Sequence, residues 1–388
     1  MQYKKAETST LYRLFHTKAS TEVLLVSELE SLKKKLEELK HEVGIVPVEW
    51  NEGRVRWLDV TRLPWEERVQ ETTSVERLAE AIRKLEIRGA PAIGVAAALG
   101  VAMAAYSACG SLSDVVSAAE RAIEVLSRTR PTAFNLFWAL DRMKGTLEDA
   151  KNECPERLKE RLVEEALRIQ LEDIETNLKI GEHGERLIES GDTILTHCNA
   201  GALATSGYGT ALGIIRSAWR KGKEIRVIVT ETRPLLQGAR LTAWELKREG
   251  IPFKLIVDSA VGYVMSENMV DKVVVGADRI LLSGHVANKI GTYTIALVAH
   301  AHKKPFYVAA PTSTIDPKSR VGGFKIELRG EEEVLTVLGK LRLAPEGVDA
   351  INPAFDITPP ELIHAIITEK GIVGRPLSEN LAKIVGQK

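Results

Sequence analysis

The stretch TILTHCNAGALATSGYGTALG, residues 193–213, joins a short apolar run to a glycine-rich loop and then to a helical pattern. A short apolar run of this kind is typical of a strand buried on both faces of a parallel sheet. Cys198 follows that run at a place where a small apolar residue would pack equally well. The stretch therefore suggests that a parallel sheet begins here and that a functional thiol ends its first strand.

Further short apolar runs follow, and each is separated from the next by a helical pattern. The runs are RVIVTE, FKLIVDS, KVVVGAD and PFYVAAP, and helices are expected at approximately 210–221, 239–250, 259–268 and 293–303. This alternation indicates βαβ units and a doubly wound parallel sheet. The segment 351–376 is expected to pack back on the sheet as a loop plus one helix.

The chain before residue 191 reads as mostly helical. Residues 46–66 predict a small β element with a tight turn at NEG, and the helical patterns that follow include an alanine-rich, buried helix at 95–106. The predicted organisation has three parts: an N-terminal extension with an amphipathic helix at 1–44, a mostly helical domain at 45–190, and an α/β domain at 191–388.

The amphipathic helix predicted at 23–43 carries one apolar seam on a charged surface. The seam consists of Leu29, Leu32, Leu36, Leu39 and Val43, at alternating steps of three and four residues. Two interpretations remain open at this stage. The seam forms a small coiled-coil contact with a partner subunit, or the helix lies on its own chain.

Composition excludes several classes of protein. The 388 residues contain 53 Lys+Arg and 53 Asp+Glu, so the formal net charge of zero argues against bulk electrostatic binding of nucleic acid or anionic membrane. No apolar stretch approaches the roughly 20 residues of a membrane span, and the first residues lack the apolar core of a signal peptide. Three cysteines without metal-ligand spacing indicate a reduced, cytoplasmic compartment, with Cys109 and Cys154 as inert buried residues.

Polar side chains follow five of the predicted strands. They are Cys198, Glu231, Asp258, Asp278 and Thr312. Ligands bind at the carboxyl ends of parallel strands, so a site is expected along this edge. For a single aspartate taken alone, a helix cap or a turn is the favoured interpretation.

The glycine-rich loop also allows a minor alternative, a dinucleotide site. Gly207, Gly209 and Gly213 form G-x-G-x-x-x-G rather than the usual G-x-G-x-x-G, and Glu231 stands about where an acid that binds ribose would be. The backbone N–H groups at the start of the next helix would face an anion. One irregular glycine triplet is weak evidence for NAD.

Side chains suited to anions accumulate in the neighbouring loops. TRPLLQGAR carries Arg233, Gln237 and Arg240, and DRILLSGHVANKIGTY carries Arg279, Asn288 and Lys289. In the helical region Arg88 and Arg130 each precede a helix that starts near a proline. An arginine beside free N–H groups at a helix N-terminus favours a phosphate, although each cation taken alone is more simply a surface or helix-end charge.

Several long stretches resemble the methylthioribose-1-phosphate isomerase family of the methionine salvage pathway. They are IRGAPAIGVAAALG, RPTAFNLFWALDRM, THCNAGALATSGYGTALG, ETRPLLQGARLTAWELKREGIP, VVVGADRI, ANKIGTYTIAL, PFYVAAPTSTID and NPAFDITP. The resemblance runs from about residue 46 to about residue 372. The wider superfamily also contains ribose-1,5-bisphosphate isomerases and the non-catalytic regulatory subunits of translation initiation factor two-B.

The resemblance implies an α/β protein with a mostly helical N-terminal domain, a small β element and a Rossmann-like C-terminal domain, assembled as a homodimer. It implies Cys198 and Asp278 as the catalytic pair. The implied substrate contacts are Arg88, Gly89, Ala90, Arg130, Gln237, Asn288 and Lys289. The implied ligand is a small sugar phosphate, with no metal or organic cofactor. Two departures from the family pattern are the extension at 1–44 and Val60, where glutamine is expected.

The implied reaction converts cyclic 5-methylthioribose 1-phosphate into an open ketose 1-phosphate. Because the phosphate blocks the anomeric oxygen, ring opening needs a general acid at the ring oxygen, and Asp278 would serve if burial raised its pKa. Hydrogen must then move from C2 to C1. Two routes stay open: Cys198 acts as a base through an enediol, or it stabilises charge at C2 during a hydride shift.

Four functions remain under consideration. The first is isomerisation of methylthioribose 1-phosphate, and the second is the same chemistry on ribose 1,5-bisphosphate, which would need extra cations. The third is a regulatory subunit of a translation factor, against which the presence of both Cys198 and Asp278 argues. The fourth is a dinucleotide-dependent oxidoreductase.

Overall fold

The computed structural model describes residues 28–130, 134–323 and 325–386. Its helices are α1 (28–43), α2 (Val75–Arg83), α3 (Ala90–Ser107), α4 (Leu112–Ser127), α5 (Phe134–Ala150), α6 (Pro155–Glu185), α7 (Ala211–Arg220), α8 (Ala243–Arg248), α9 (Val261–Ser266), α10 (Thr292–Ala301), α11 (Glu332–Leu335) and α12 (Leu377–Ile384). A π-helical segment, Gly238–Thr242, leads directly into α8. Residues 23–27 of the predicted first helix lie outside the described residues.

The strands of the described residues form four sheets. They are β1 (Val48–Asn51), β2 (Arg54–Leu58), β3 (Val69–Thr72), β4 (Thr193–Thr196), β5 (Arg226–Thr230), β6 (Phe253–Ile256), β7 (Lys272–Val275), β8 (Arg279–Leu281), β9 (Val286–Lys289), β10 (Phe306–Ala309), β11 (Ile315–Asp316), β12 (Thr336–Val337), β13 (Leu341–Arg342), β14 (Phe355–Thr358), β15 (Ala365–Thr368) and β16 (Gly371–Gly374). The sheet orders are β1-β2-β3, β16-β15-β10-β7-β4-β5-β6, β11-β8-β9-β14 and β12-β13.

The seven-stranded sheet confirms the predicted α/β class and the five predicted parallel strands. Its six parallel strands, counted along the chain, lie in the doubly wound order 3-2-1-4-5-6. β4 and β7 are central neighbours, with Leu195 beside Val273. Loops that follow two such neighbours open into the crevice where the direction of winding changes.

The prediction for residues 351–376 was wrong, because this segment contributes three strands. β14 joins the sheet of β8 and β9, β15 pairs in parallel with β10, and β16 returns antiparallel. The residues of β15 are all buried. In the sequence they are flanked by turn residues, which is why this segment resembles a loop. The neighbouring sheet residues supply the packing that selects the strand.

The helical part has a core of its own built around α3. This helix follows Gly89 and carries a proline in its first turn, and it is buried on most sides, as predicted. By length and composition α3 could cross a membrane, although no apolar stretch of that length is expected from the sequence. In the structure, 78% of this helix is buried among other parts of this chain.

The leucine seam of α1 packs on this same core. Leu36 and Val43 are buried in it, and the three remaining seam leucines are partly buried against it. Charged residues tie the helix to α6, with Glu28 bonded to Arg168. The described part of the seam therefore follows the second interpretation, a helix lying on its own chain.

The tight turn at NEG is confirmed. β1 and β2 pair with Asn51 opposite Arg54, and the two residues between them have φ angles of 44° at Glu52 and 85° at Gly53. Positive φ at both central positions is the geometry of a two-residue hairpin turn, and glycine suits its second position. Val60, the residue that departs from the family pattern, is buried in a small apolar cluster with Leu63 and Leu241.

Candidate functional site

Cys198 and Asp278 line one small cavity at the carboxyl ends of β4 and β7. This small cavity, with the open solvent at its mouth, has about 450 Å³ of unfilled space, and Arg88, Asn288 and Pro311 also line it. The central pairing of β4 with β7 is the reason that residues 80 positions apart face the same space. Of the strand-end residues singled out in the sequence, these are the two that the fold brings together here.

The backbone of Cys198 is held in an unusual conformation. Its φ is 60°, in the left-handed region that a residue with a side chain adopts at a cost. The Cys198 N–H donates to Thr232 Oγ1 at 2.8 Å, and the Cys198 carbonyl accepts from Thr242 Oγ1 at 2.6 Å. These two threonines fix the turn that presents the thiol to the cavity.

Arg88 crosses from the start of α3 to the same turn. One of its nitrogens, Nη1, donates to the Asn199 carbonyl at 2.7 Å and to Asn199 Oδ1 at 2.8 Å, and Nη2 lies 3.8 Å from Cys198 Sγ. Gly89 permits this approach, because a Cβ there would lie 2.3 Å from the Ala204 carbonyl oxygen and its φ is +93°. Arg88, Gly89 and Ala90, the RGA segment singled out in the sequence, all line the small cavity.

Burial has the largest influence on the pKa of Asp278. Burial raises the pKa of this carboxyl, while the nearby cations Lys289 and Arg88 act in the opposite direction. Burial also lowers the pKa of Lys289, and Cys198 and Asp278 both oppose that shift. Such paired perturbations of an acid and a cation in one cleft are typical of functional sites.

A second cavity, called the large cavity, adjoins the small one and shares Arg88 and Asp278 with it; with the open solvent at its mouth it has about 820 Å³ of unfilled space. It contains the predicted residues Arg130, Gln237 and Lys289. Arg130 pairs with Glu327 at 3.1 Å, and Lys289 donates to the Ala354 carbonyl at 3.1 Å. Asn288 lies at the small cavity, where its amide nitrogen donates to Thr292 Oγ1 at 3.0 Å. Each predicted contact thus reaches one of the two adjoining cavities.

Gln237 carries a buried oxygen, Oε1, that has no hydrogen-bond partner among the described residues. Its side chain lines the large cavity at the start of the π-helical segment. An unpartnered buried carbonyl oxygen costs free energy unless a ligand supplies a donor. A hydroxyl group of a sugar is such a donor.

His197 is a site residue that the sequence reading missed. It lines the small cavity, and Nε2 faces the Ile290 carbonyl at 2.9 Å while Nδ1 faces Thr230 Oγ1 at 2.6 Å. Nε2 must therefore carry the proton, since a carbonyl can only accept. Burial lowers the pKa of His197 to about 4, which keeps the ring neutral near pH 7. Its position beside Cys198 at a strand end was the available signal.

Other polar residues singled out in the sequence serve as structural contacts. Asp258 accepts from the N–H groups of Thr232 and Arg233, at 2.8 and 2.7 Å, and so caps the loop after β5. Thr312 bonds to Glu369 through both its N–H and its hydroxyl. These strand ends follow the turn interpretation.

Two arginines of the second loop bond to main-chain carbonyls. Arg233 donates to the carbonyls of Val334 and Thr336, and Arg240 donates to those of Val60 and Leu63. Burial, together with the charge of Arg88, lowers the pKa of Arg240 to about 10. Both guanidinium groups hold loops together.

The glycine-rich loop does not present its donors to a ligand in the way a dinucleotide fingerprint does. The N–H groups of Thr210 and Leu212 both donate to the Ala200 carbonyl. Gly209 packs on Gly201, where a Cβ would lie 2.4 Å from backbone atoms. The glycines therefore allow close packing of the loop on itself.

The prediction that Cys109 and Cys154 are buried was wrong, because both are exposed. Cys109 follows the end of α3, and Cys154 is the N-cap of α6, so the chain turns at the surface at both places. Within residues 28–130, 134–323 and 325–386, no group of three or more His, Cys, Asp or Glu residues is placed to hold a metal ion.

Most of the chain is similar to known proteins. A family model described as the Initiation factor 2 subunit family matches residues 86–375. A curated relative from Thermotoga neapolitana, named methylthioribose-1-phosphate isomerase, is 54% identical over 342 residues, which cover 87% of this chain and 98% of the relative.

Two solved structures are also similar. One, titled 5-methylthioribose 1-phosphate isomerase from Pyrococcus horikoshii OT3, gives a TM-score of 0.83 at 42% identity and covers 88% of this chain and 96% of that chain. The other, titled translation initiation factor eIF-2B, subunit delta, from A. fulgidus, gives a TM-score of 0.80 at 47% identity and covers 88% and 99%.

Proposed function

This chain belongs to the initiation factor 2 subunit family, and from that membership we propose that it isomerises 5-methylthioribose 1-phosphate to 5-methylthioribulose 1-phosphate in methionine salvage. The observation that carries the proposal is the small cavity, in which Cys198 and Asp278 face a common space. A regulatory subunit would not require a thiol and a carboxyl group in one cavity.

Asp278 acts as the general acid at the ring oxygen. Its pKa is raised by burial, so the carboxyl retains a proton at higher pH than an exposed aspartate does. Donation of that proton opens the ring while C1 becomes electron-poor. Lys289, which lines the large cavity together with Asp278, stabilises the carboxylate that remains.

Cys198 then manages the transfer of hydrogen from C2 to C1. Arg88 Nη2 lies 3.8 Å from the Cys198 sulfur. It stabilises negative charge on that sulfur, or on a sugar oxygen that takes the place of the sulfur as the partner of Arg88. The thiolate removes the proton from C2, or it stabilises charge at C2 while hydride shifts to C1. Neutral His197 beside the thiol adds no charge of its own near pH 7.

The substrate phosphate binds among the cations at the junction of the two cavities. Arg88 and Arg130 come from the helical part, whereas Asn288 and Lys289 come from the β9 hairpin. The helical and sheet parts would therefore close over the sugar together. The apolar side chains of Leu85 and Leu235 in the large cavity favour a methylthio tail over a second phosphate.

Finer features complete the proposal. The protein works in the cytoplasm as a homodimer, with residues 191–388 as a Rossmann-like domain and residues 45–190 as a separate, mostly helical domain. The reaction uses neither a metal nor an organic cofactor. The neutral net charge supports the absence of bulk nucleic-acid or membrane binding.

The decisive experiment follows the pure protein with 5-methylthioribose 1-phosphate in deuterated water by proton NMR. Ribose 1,5-bisphosphate in a second tube is the matched control substrate. Ketose formed in the first tube alone supports the proposal. Deuterium at C1 would then indicate the enediol route, and its absence the hydride shift. Turnover in the second tube alone would assign the bisphosphate substrate instead.

A second candidate function is a regulatory subunit of a translation factor, and the similarity to the A. fulgidus protein favours it. Folded protein that turns over neither sugar phosphate would support this candidate and reject the isomerase. A Cys198→Ala variant serves as the control for contaminating isomerase, because any turnover that survives it does not come from this site.

A further inference from the structure

Behind the site lies a buried carboxylate that the proposed chemistry does not use. Glu245 is in the first turn of α8, its side chain is fully buried, and it forms an ion pair of 2.5 Å with the equally buried Arg216. Burial of a charged pair is expensive, so a pair of this kind needs further hydrogen bonds to persist. The Glu245 carboxylate has them, and they lead to the site.

The carboxylate receives donors from the turn that follows Cys198. Asn199 Nδ2 donates to Glu245 Oε1 at 2.7 Å, and the Ala202 N–H donates to Glu245 Oε2 at 2.8 Å. Gly201 makes room for this contact, because a Cβ there would lie 2.3 Å from Glu245 Oε2. The turn is therefore folded around the carboxylate.

The chemistry of these groups fixes the orientation of the Asn199 amide. A carboxylate only accepts hydrogen bonds, so Nδ2 must face Glu245, and a guanidinium only donates, so Oδ1 must face Arg88. Arg88 Nη1 is 2.8 Å from that oxygen, and Arg88 Nη2 is 3.8 Å from Cys198 Sγ. A continuous chain of bonds thus links Glu245 to the guanidinium beside the thiol.

The charges along this chain leave Arg88 free to act on the site. Glu245 is balanced by Arg216, which Glu249 also contacts at 2.5 Å. Among the contacts of the described residues, the carboxylate is linked to Arg88 through the neutral amide of Asn199. A carboxylate placed directly on Arg88 would instead neutralise it. The Asn199 amide orients the Arg88 guanidinium without neutralising it, so the positive charge of Arg88 stays available for an anion.

We propose that Glu245 is a positioning residue that sets the Asn199 amide and, through it, holds the Arg88 guanidinium at the Cys198 thiol. The inference rests on the proposed function in taking Arg88 as an anchor for the phosphorylated substrate. It assigns no bond-making step to Glu245, which has no place in the lining of the small cavity.

The test is a double-mutant cycle between Glu245→Gln and Arg88→Ala. Binding of inorganic phosphate is measured by titration calorimetry, and kcat and KM are measured with 5-methylthioribose 1-phosphate. We expect E245Q to lower kcat/KM by roughly ten- to a hundredfold, since small misplacements of an anchor have effects of that order. Phosphate binding should weaken in parallel. In the R88A background, E245Q should change either quantity by about twofold or less.

Glu249→Gln is the matched control. Glu249 is the C-cap of α8 and contacts the same arginine, Arg216, as Glu245 does. The described contacts do not connect Glu249 with Asn199. A merely structural role for the ion pair would make E249Q and E245Q similar. We expect E249Q to retain the kcat/KM of the parent within about twofold.

Two results would overturn the proposal: equal losses from E245Q in the parent and in R88A, or an R88A protein with unchanged kcat/KM and phosphate binding. If E245Q does not fold, Asn199→Ala cuts the same chain while leaving the Arg216–Glu245 pair intact, and it must then show the same coupling to R88A. Because phosphate binding is measured without turnover, the role of Glu245 can be tested even if the protein has no isomerase activity. A parent protein without turnover, but with coupled losses in phosphate binding, would reject the isomerase and retain the role of Glu245.

Discussion

The thiol and the carboxyl group of the small cavity are separated in function by their surroundings. Cys198 sits in a strained turn held by hydroxyl groups, with a guanidinium at 3.8 Å. Asp278 follows the end of β7, where burial raises its pKa although the cations Lys289 and Arg88 lie nearby. The site therefore places a carboxyl group with a raised pKa in the same cavity as a sulfur that has a guanidinium beside it.

Asp278→Asn tests the acid directly. The variant keeps the shape of the side chain but cannot donate the proton, so kcat should fall by about 10²- to 10⁴-fold. In the parent, only the protonated carboxyl is active. Because burial raises its pKa, activity should fall as pH rises through that raised pKa, and this limb should disappear in the variant. The measurement is kcat/KM against pH.

Asp258→Asn is the control for that experiment. Asp258 also follows a parallel strand, but its oxygens accept the N–H groups of Thr232 and Arg233. Its substitution should leave most of the activity and the pH limb in place. A D278N protein that retains the limb would assign the proton to another group.

Single elements show why amphipathicity alone does not identify a partner. The seam of α1 has coiled-coil spacing, yet its described leucines pack on the core of the same chain. A seam needs apolar contacts, and any adjacent apolar surface supplies them. Here that surface is the helical core around α3, which α6 flanks with charged residues that pair with α1.

Leu36→Ala tests this packing. Leu36 is 4% exposed, so its truncation leaves a cavity and should lower the free energy of unfolding by about 2–5 kcal/mol. Lys34→Ala, at an exposed position of the same helix, should have little effect. Urea unfolding measures the change, and light scattering measures the mass. A change of mass without loss of stability would instead favour the coiled-coil interpretation.

At the scale of the whole molecule, a carboxyl group on α6 bonds to the loop that follows Cys198. Asp173 on α6 accepts the N–H of Ser206, in the loop after Cys198, at 2.6 Å. Burial raises the pKa of Asp173 to about 6, although its hydrogen bonds oppose that shift. This contact between α6 and the loop therefore depends on a carboxyl group with a pKa of about 6.

Asp173→Asn exposes this titration in the stability of the protein. The folded pKa of about 6 exceeds the value of 3.8 for the free side chain, so the folded state holds the proton to higher pH. This contribution to the free energy of unfolding is full below 3.8 and is lost as pH rises through about 6. The parent should thus lose stability relative to D173N across that window, and urea unfolding at several pH values measures it. A constant difference would contradict it.

The sequence by itself determined the family, the α/β class and the positions of five parallel strands. Buried strands between helices leave a strong local pattern, and the long motifs leave little freedom of assignment. It also singled out Cys198 and Asp278 as candidates. It missed β15 and β16, because short strands among glycines and prolines resemble loops until a neighbouring strand pairs with them.

The tertiary structure alone decided which strand-end residues meet. Cys198 and Asp278 share a cavity because β4 and β7 are neighbours, whereas Asp258 follows the edge strand β6 and caps a loop there. Strand order depends on contacts between distant parts of the chain, which no local pattern records. The same holds for Glu245, whose side chain reaches the site only through the folded turn at Asn199. The sequence therefore determines which side chains are available, and the fold determines which of them lie in one cavity.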